Sequence, residues 1–297
     1  NGIILANIIY SQTEHQKFGG IVPEIGSRSH IEQIHICTLS ALQQANINLE
    51  QIDAIAATFA PGLLGPLLVG AQYAKGLAAS LNKPLIAIHH IEGHVLSGYL
   101  QHDFLKPPFI SLIASGGHTA LYQVDSDYSM KTLGQTLDDA AGEAFDKVAR
   151  VLGLPFPGGP WIDKAAQCGD PLSIEFPQGL MSKEDLITHK FDFSFSGLKT
   201  AVARWVEAWQ KTGEIIPVSD VAASFQEAVV EVLVKKTLLA AKETGIDTII
   251  VGGGVAANSR LRSMITQKAQ EHKLLVRIPK PSLAQVMERW WQHLDHN

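Results

Sequence analysis

Three histidines and a glutamate follow a short apolar run in the stretch PLIAIHHIEGH, Pro84 to His94. His90 and His94 are four residues apart, so on one helical turn their imidazoles face the same way, and a divalent metal suits such a pair. A metalloprotease of the zincin type needs Glu directly after the first His. Here Ile91 follows His90 and Glu92 comes one place too late, so that protease geometry is not met. The bland alternative is a pair of structural core histidines, and spacing alone leaves both open. A metal also needs at least a third protein ligand, which this motif does not supply.

Five other stretches carry residue types that could do chemistry. SGGHT, Ser115 to Thr119, puts two glycines after an apolar strand. That pair makes a tight hairpin turn, or a loop whose backbone lets a phosphate approach. DDAAGEAFDKVAR, Asp138 to Arg150, has acidic residues that suit a helix's first turn, and Asp146 lies one turn beyond Gly142, past whose missing side chain a ligand could come. In PFPGGPWID the glycines Gly158 and Gly159 are loop punctuation, yet Asp163 one turn further could accept from a ribose hydroxyl. VGGGVAANSRLR reads as a strand, a glycine turn and a helix opened by Asn258, which serves either a nucleotide loop or a simple N-cap. FDFSFSGLKTAV, Phe191 to Val202, alternates Phe and Ser in a way that packing alone does not require.

The elements that must position these residues alternate between strand and helix. The pattern predicts a strand in the first dozen residues, a helix from Ser29 to Ala45, a strand in IDAIAATFAPG and a helix from Leu67 to Leu81. PLIAIHH then reads as a strand. After Pro107-Pro108, FISLIASGGHTALYQV reads as a hairpin, followed by a helix from about Asp138 to Leu152 and a loop, GLPFPGGP. A helical insertion spans about 160–210, a helix runs from Val218 to Thr244, and the strand DTIIVGGG leads into a last helix. This is α/β architecture in two similar series. The expected division is an N-terminal lobe over 1–106, a C-terminal lobe over 107–283 and an atypical tail over 284–297.

Bulk properties agree with an ordinary folded chain. Of 297 residues, 46% are hydrophobic and 18% charged, and the net charge is −5, so nucleic-acid binding would depend on a local basic patch. The two cysteines, Cys37 and Cys168, form no CxxC pair, as expected in a reducing compartment. No apolar run approaches the roughly 20 residues that span a bilayer. The expectation is a soluble, cytoplasmic protein without membrane association.

In their order and spacing these motifs resemble those of the bacterial tRNA N6-adenosine threonylcarbamoyltransferases, the TsaD family formerly called glycoprotein endopeptidases. GGIVPEIGSRSH, PGLLGPLLVGAQYAKGLA, HHIEGH, SGGHT, DDAAGEAFDKVAR, PGGP, FSFSGLKTAV and GGGVAANSRLR all match its blocks, over residues 11 to about 283. The resemblance implies a two-lobed fold of the actin, sugar-kinase and Hsp70 type. It implies transfer of a threonylcarbamoyl group from threonylcarbamoyl-AMP to N6 of the adenosine 3′ of the anticodon, in tRNAs reading codons that begin with A. It assigns His90 and His94 to one divalent metal, iron or zinc. It assigns Ile113, Ala114, Ser115, Gly116, Gly117, Asp146, Gly159, Asp163 and Asn258 to the adenylate, and names no general base. The partners it implies are tRNA, a small non-catalytic paralogue and an ATPase subunit. A metalloprotease, a sugar or acetate kinase and a non-catalytic partner subunit are the rival readings.

Two departures from the family pattern carry expectations. The family's first strand and its Glu-Thr-Ser-Cys-Asp motif do not precede Asn1, which is expected to reflect truncation. After IPKPSL the family continues Cys-Thr-Asp-Asn-Gly-Ala-Met, whose Asp is the third metal ligand, whereas this chain has Ala284, Gln285 and Val286. Back-translating Met287 to His293 in a neighbouring frame allows Gly-Ala-Met-Val-Ala-Ala, so the tail is expected to be a frameshifted remnant of that motif. With Val286 in place of the carboxylate, weak metal binding, low activity and poor solubility are expected.

Overall fold

The computed structural model describes residues 3–10, 12, 22–96 and 106–278, and the atypical tail and the first three residues of the block GGIVPEIGSRSH lie outside them. The described residues fall into two compact units, one within Asn1–His102 and the other within Asp103–Gln285.

In the first unit the order is α1 (Pro23–Ala45), β1 (Ile55–Ala60), α2 (Leu64–Leu81), β2 (Leu85–His89) and α3 (His90–Leu96). Helix α1 begins six residues before the expected Ser29, because Pro23 at the first turn sacrifices only an N–H that had no helical partner. Asn46 and Asn82 end α1 and α2 in the left-handed region, at φ 53° and 51°, where a short polar side chain is tolerated. Strands β1 and β2 pair in parallel. Parallel strands are normally covered on both faces, yet Ile86 is 48% exposed here.

The expected strand at the start of the chain is corrected: residues 3–10 form no strand. A strand is held by a ladder and a covered face, and among the described residues this segment has neither. Ile3 and Leu5 stand 72% and 59% exposed.

The second unit contains a five-stranded sheet in the order β5-β4-β3-β6-β7, built from β3 (Phe109–Ala114), β4 (Thr119–Val124), β5 (Met130–Gln135), β6 (Thr248–Gly252) and β7 (Leu275–Arg277). Strands β3, β4 and β5 run antiparallel in sequence, while β6 joins β3 in parallel and β7 joins β6. Every residue of β3 is buried, as befits its central place. The helices are α4 (Ala141–Val151), α5 (Gly158–Ala166), α6 (Asp185–Thr188), α7 (Ser196–Gln210), α8 (Val218–Thr244) and α9 (Ser259–Glu271). Phe145 of α4 and Phe225 of α8 meet edge to face at 5.2 Å in the core, beside Leu112, Val148 and Leu233.

Two boundaries differ from expectation. Helix α4 starts at Ala141, not Asp138. Asp138 instead caps a helix far along the chain: its carboxylate accepts from the backbone N–H of Phe195 at 2.8 Å and Ser196 at 3.2 Å, and from the hydroxyls of Ser194 at 2.5 Å and Ser196 at 2.7 Å. This explains the Phe/Ser alternation, because Phe193 and Phe195 are buried while the serines between and after them turn to one carboxylate. Helix α5 begins at Gly158, inside the expected loop, and belongs to the core through Ile162 and Ala166. The stretch expected as a helical insertion therefore comprises a core helix, a mostly irregular segment and α7.

Burial opposes ionisation of Asp138, but the two hydroxyls and two amides outweigh it and hold the carboxyl below its ordinary value. A depressed pKa contributes stability that is complete above the unfolded value, about 4, and disappears as pH falls through the folded one. We expect Asp138→Ala to cost about 2 kcal/mol at pH 7. Urea unfolding at pH 7 and pH 3 checks this, with the difference between parent and variant shrinking at the acidic pH.

Candidate functional site

The carboxyl ends of the parallel strands β3 and β6 lie side by side, with Ile113 opposite Gly252. In open α/β sheets this edge is where ligands bind, since the turns and helix N-termini that follow the strands present unpaired N–H groups. Here two turns leave that edge. The first is closed by the Ser115 N–H donating to the His118 carbonyl at 2.8 Å and by the His118 N–H donating to Ser115 Oγ at 3.1 Å. Ser115 itself is buried, so its hydroxyl shapes the turn.

Helix α4 aims its N-terminus at this turn. The Gly142 N–H donates to the Ser115 carbonyl at 3.0 Å, and the Ala141 N–H donates to Thr119 Oγ1 at 2.9 Å. A Cβ on Gly142 would sit 2.6 Å from the Ser115 oxygen and 2.8 Å from the Gly116 backbone. The space beside Gly142 is therefore filled by the turn, and the expectation that a ligand approaches there is corrected. By contrast, a Cβ on Gly116 or Gly159 would meet nothing within 4 Å. Those two glycines have no packing reason to lack a side chain.

The second turn begins at Gly253, whose φ of +85° is the left-handed region, and a Cβ there would fall on the backbone of Ala114. The turn ends at Asn258, which is the N-cap of α9: its Oδ1 accepts from the Leu261 N–H at 2.9 Å and its Nδ2 donates to Gln226 Oε1 at 2.7 Å. The two aspartates tie neighbouring helix ends. Asp146 Oδ1 accepts from the Gly158 N–H at 2.6 Å, at the start of α5. Asp163 Oδ1 accepts from the Ser259 hydroxyl at 2.7 Å, and Oδ2 accepts from the Ser259 N–H at 3.2 Å. These bonds orient the two aspartates.

Next to the α4 N-terminus, Asp139 lies between two cations, Lys199 at 2.7 Å and Lys147 at 2.9 Å. Burial pushes its carboxyl up, but the two ammonium groups prevail and hold it below the ordinary range.

His90 and His94 lie in the first unit. Both are buried, on one turn of α3, with ring centroids 4.5 Å apart and planes at 74°. Two imidazoles at this spacing suit iron or zinc. Among the described residues no group of three His, Cys, Asp or Glu side chains stands together around a possible metal position. The pair thus fits part of a coordination sphere. His90 also borders a cavity of about 410 Å³ whose other walls include Tyr10, Cys37, Ala57 and Leu77. That mostly apolar lining offers little to an anionic ligand.

Residues 3–290 match the family model described as TsaD, tRNA N6-adenosine threonylcarbamoyltransferase. The enzyme of that name from Nostoc punctiforme is 53% identical over 280 residues, which is 94% of this chain and 80% of that one. Its namesake from Clostridioides difficile is 50% identical over 277 residues, 93% of this chain and 80% of that one. This chain belongs to the tRNA N6-adenosine threonylcarbamoyltransferase family.

Among solved structures, HypF from T. kodakarensis superposes with a TM-score of 0.62 at 14% identity, over 88% of this chain and 43% of that one. Full-length HypF in its phosphate- and nucleotide-bound form gives 0.58 at 16% identity, over 88% of this chain and 41% of that one. At such identities the likeness concerns the fold alone, which is the actin, sugar-kinase and Hsp70 type expected from the motifs. No described helix is long and apolar enough to cross a membrane.

Within the second unit, the residues that the family motifs single out cluster around one sheet edge: Ile113 and Ala114 end β3 and Ser115 to Gly117 follow it, Gly159 and Asp163 lie on α5, and Asn258 opens α9. Sequence reasoning missed the residues that hold them. Gln226 braces Asn258, Ser259 receives Asp163, and Asp138 with Ser194 and Ser196 fixes the start of α7. Only the Phe/Ser alternation signalled any of these in advance, and it named no partner.

Proposed function

We propose that this chain transfers the threonylcarbamoyl group from threonylcarbamoyl-AMP to N6 of the adenosine 3′ of the anticodon in tRNAs that read codons beginning with A. The observation that carries the reading is the match to tRNA N6-adenosine threonylcarbamoyltransferases across nearly the whole chain. The second unit supports it with two glycine turns and three helix N-termini at one sheet edge.

The donor is a mixed anhydride and needs no further activation. N6 attacks the carbamoyl carbon, the bond from that carbon to the phosphate oxygen breaks, AMP leaves, and N6 loses a proton. The protein's task is then to position the donor and stabilise charge on the leaving phosphate. In this reading the backbone N–H groups of Gly116, Gly117 and Gly159 face the phosphate. Asp146 and Asp163 accept from the ribose hydroxyls, and Asn258 shapes the turn against which the base lies. The partners are a small non-catalytic paralogue and an ATPase subunit.

His90 and His94 would hold the divalent metal, which would supply a Lewis acid. The place that the resemblance gives to the third ligand is Val286, outside the described residues. Two imidazoles alone bind a metal weakly. We therefore expect calorimetry with Zn²⁺ or Fe²⁺ to show a dissociation constant of about a micromolar or weaker, and turnover below that of the Nostoc relative. A tight one-to-one complex would contradict this.

The function is tested by complementation. A strain lacking the modification receives either this chain or this chain with Val286→Asp, and its tRNA nucleosides are analysed by mass spectrometry. Threonylcarbamoyladenosine should reappear, more strongly with the carboxylate restored. Its absence from both strains, with both proteins present and folded, would overturn the reading.

A further inference from the structure

One backbone donor fixes the orientation of two side-chain amides at the start of α9. Asn258 Oδ1 accepts from the Leu261 N–H at 2.9 Å, and a backbone N–H can only donate. The other end of Asn258 is therefore its Nδ2, also a donor only. Gln226 meets that donor at 2.7 Å and must do so with its oxygen, Oε1. What remains of Gln226 is Nε2, which carries two N–H groups and accepts nothing. Neither amide can be turned round without setting donor against donor.

The rest of Gln226 is sealed into the core. It is 6% exposed, and the α8 residues one turn away on either side, Ala222, Ala223, Val229 and Val230, are all buried. Packing alone would favour an apolar side chain at such a position. Yet among the described residues no group accepts from Nε2, and that nitrogen is not closed off from open space. An amide donor kept without an acceptor on an otherwise buried residue needs a reason.

Its surroundings supply one. Asn258 opens α9 in the turn against which the base of the donor lies in the reading above, and the next residue, Ser259, is held by Asp163 of the same site. Arg260 follows and forks onto Glu227 of α8 at 2.6 and 2.7 Å. Gln226 and Glu227 thus each grip one residue of the α9 start, so the Gln226 nitrogen sits on a rigid frame beside the base. Adenine carries bare ring nitrogens at N1, N3 and N7, and each can only accept. A group that can only donate is their complement.

We propose that the Gln226 amide donates a hydrogen bond to a ring nitrogen of the donor's adenine and so helps to select that base. The inference rests on the transferase reading and adds to it a residue outside the family motifs. Gln226 is a binding residue in this account and touches no reacting atom.

The test is a calorimetric titration of the full chain with a hydrolysis-resistant threonylcarbamoyl-adenylate analogue and with its 1-deaza, 3-deaza and 7-deaza forms. In each deaza form a C–H replaces one ring nitrogen. In the parent at least one of the three should bind about tenfold more weakly than the adenine form. Gln226→Met should bind the adenine form about tenfold more weakly and should no longer distinguish it from that deaza form. Loss of the tie to Asn258 would by itself lower all four affinities together and leave the distinction in place, so its disappearance separates a contact with the base from a bracing role. A Gln226→Met protein that keeps the distinction overturns the proposal. So does a parent that binds all four forms alike, a result that does not depend on how well the variant folds and that leaves the donor site standing. A parent that binds none of the four sinks the transferase reading itself.

Discussion

Gly116→Val is expected to leave the fold as stable as the parent and to weaken binding of a threonylcarbamoyl-adenylate analogue about a hundredfold or more. Usually a glycine that tolerates no substitution is protecting a turn or a close approach. Gly116 does neither, because its φ is not in the left-handed region and a Cβ there meets open space. Packing therefore predicts a neutral change. If the Ser115–Gly117 turn receives the phosphate of the adenylate, the isopropyl group occupies the ligand's position and binding is lost. Thermal unfolding and calorimetry on the same sample separate the outcomes. Loss of stability together with binding would mean that the glycine is structural after all, and retention of both would mean that no ligand approaches here. Gly159→Val probes the same point on α5, where a Cβ is equally unopposed.

Gly253→Ala is the opposite case, a change of one methyl group with a large stability cost. Two penalties add. The φ of +85° disfavours any side chain, and the new Cβ would fall on the backbone of Ala114. Ala114 ends β3, the central strand, which is hydrogen-bonded on both sides and cannot retreat. We expect a loss of about 4 kcal/mol, in the range reserved for substitutions that break a named structural device. Urea unfolding measures it, and a cost below about 1 kcal/mol would show that the β3 and β6 turns do not interlock as described. Gly253 and Gly116 sit on adjoining turns, so the pair distinguishes a glycine kept for the protein from one kept for a ligand.

Much of this was legible in the residues. Helix α8 runs from Val218 to Thr244 as its pattern predicted, because Gly245 at φ 69° supplies a terminator visible in the sequence. The hairpin of β3 and β4 and strand β6 were equally plain, since each is signalled by local chemistry, and the Asn258 cap was one of the two readings its position allowed. What stayed hidden was every tie between distant segments. Asp138 looked like an acidic residue in its own helix, and only the fold reveals that it serves α7. Gly142 looked like an opening for a ligand, whereas the Ser115 turn occupies that space. The strand expected near the start of the chain had the apolar, β-branched residues of a strand, but residue types name no pairing partner. The placement of the histidine pair on one helical turn was readable from spacing, while a metal's remaining ligands are a question of tertiary structure that spacing does not answer.

One claim underlies the functional account: the loops at the carboxyl edge of β3 and β6 grip an acyl-adenylate. Photolabelling tests it most directly. The full chain is irradiated with an 8-azido derivative of the threonylcarbamoyl-adenylate analogue, with and without excess unlabelled analogue, and the adduct is mapped by peptide mass spectrometry. The account predicts label in peptides covering residues 113–117, 158–163 or 253–259, removed by the competitor. Competable label confined to the segments that border the apolar cavity beside His90, with none at the β3 and β6 turns, would contradict it.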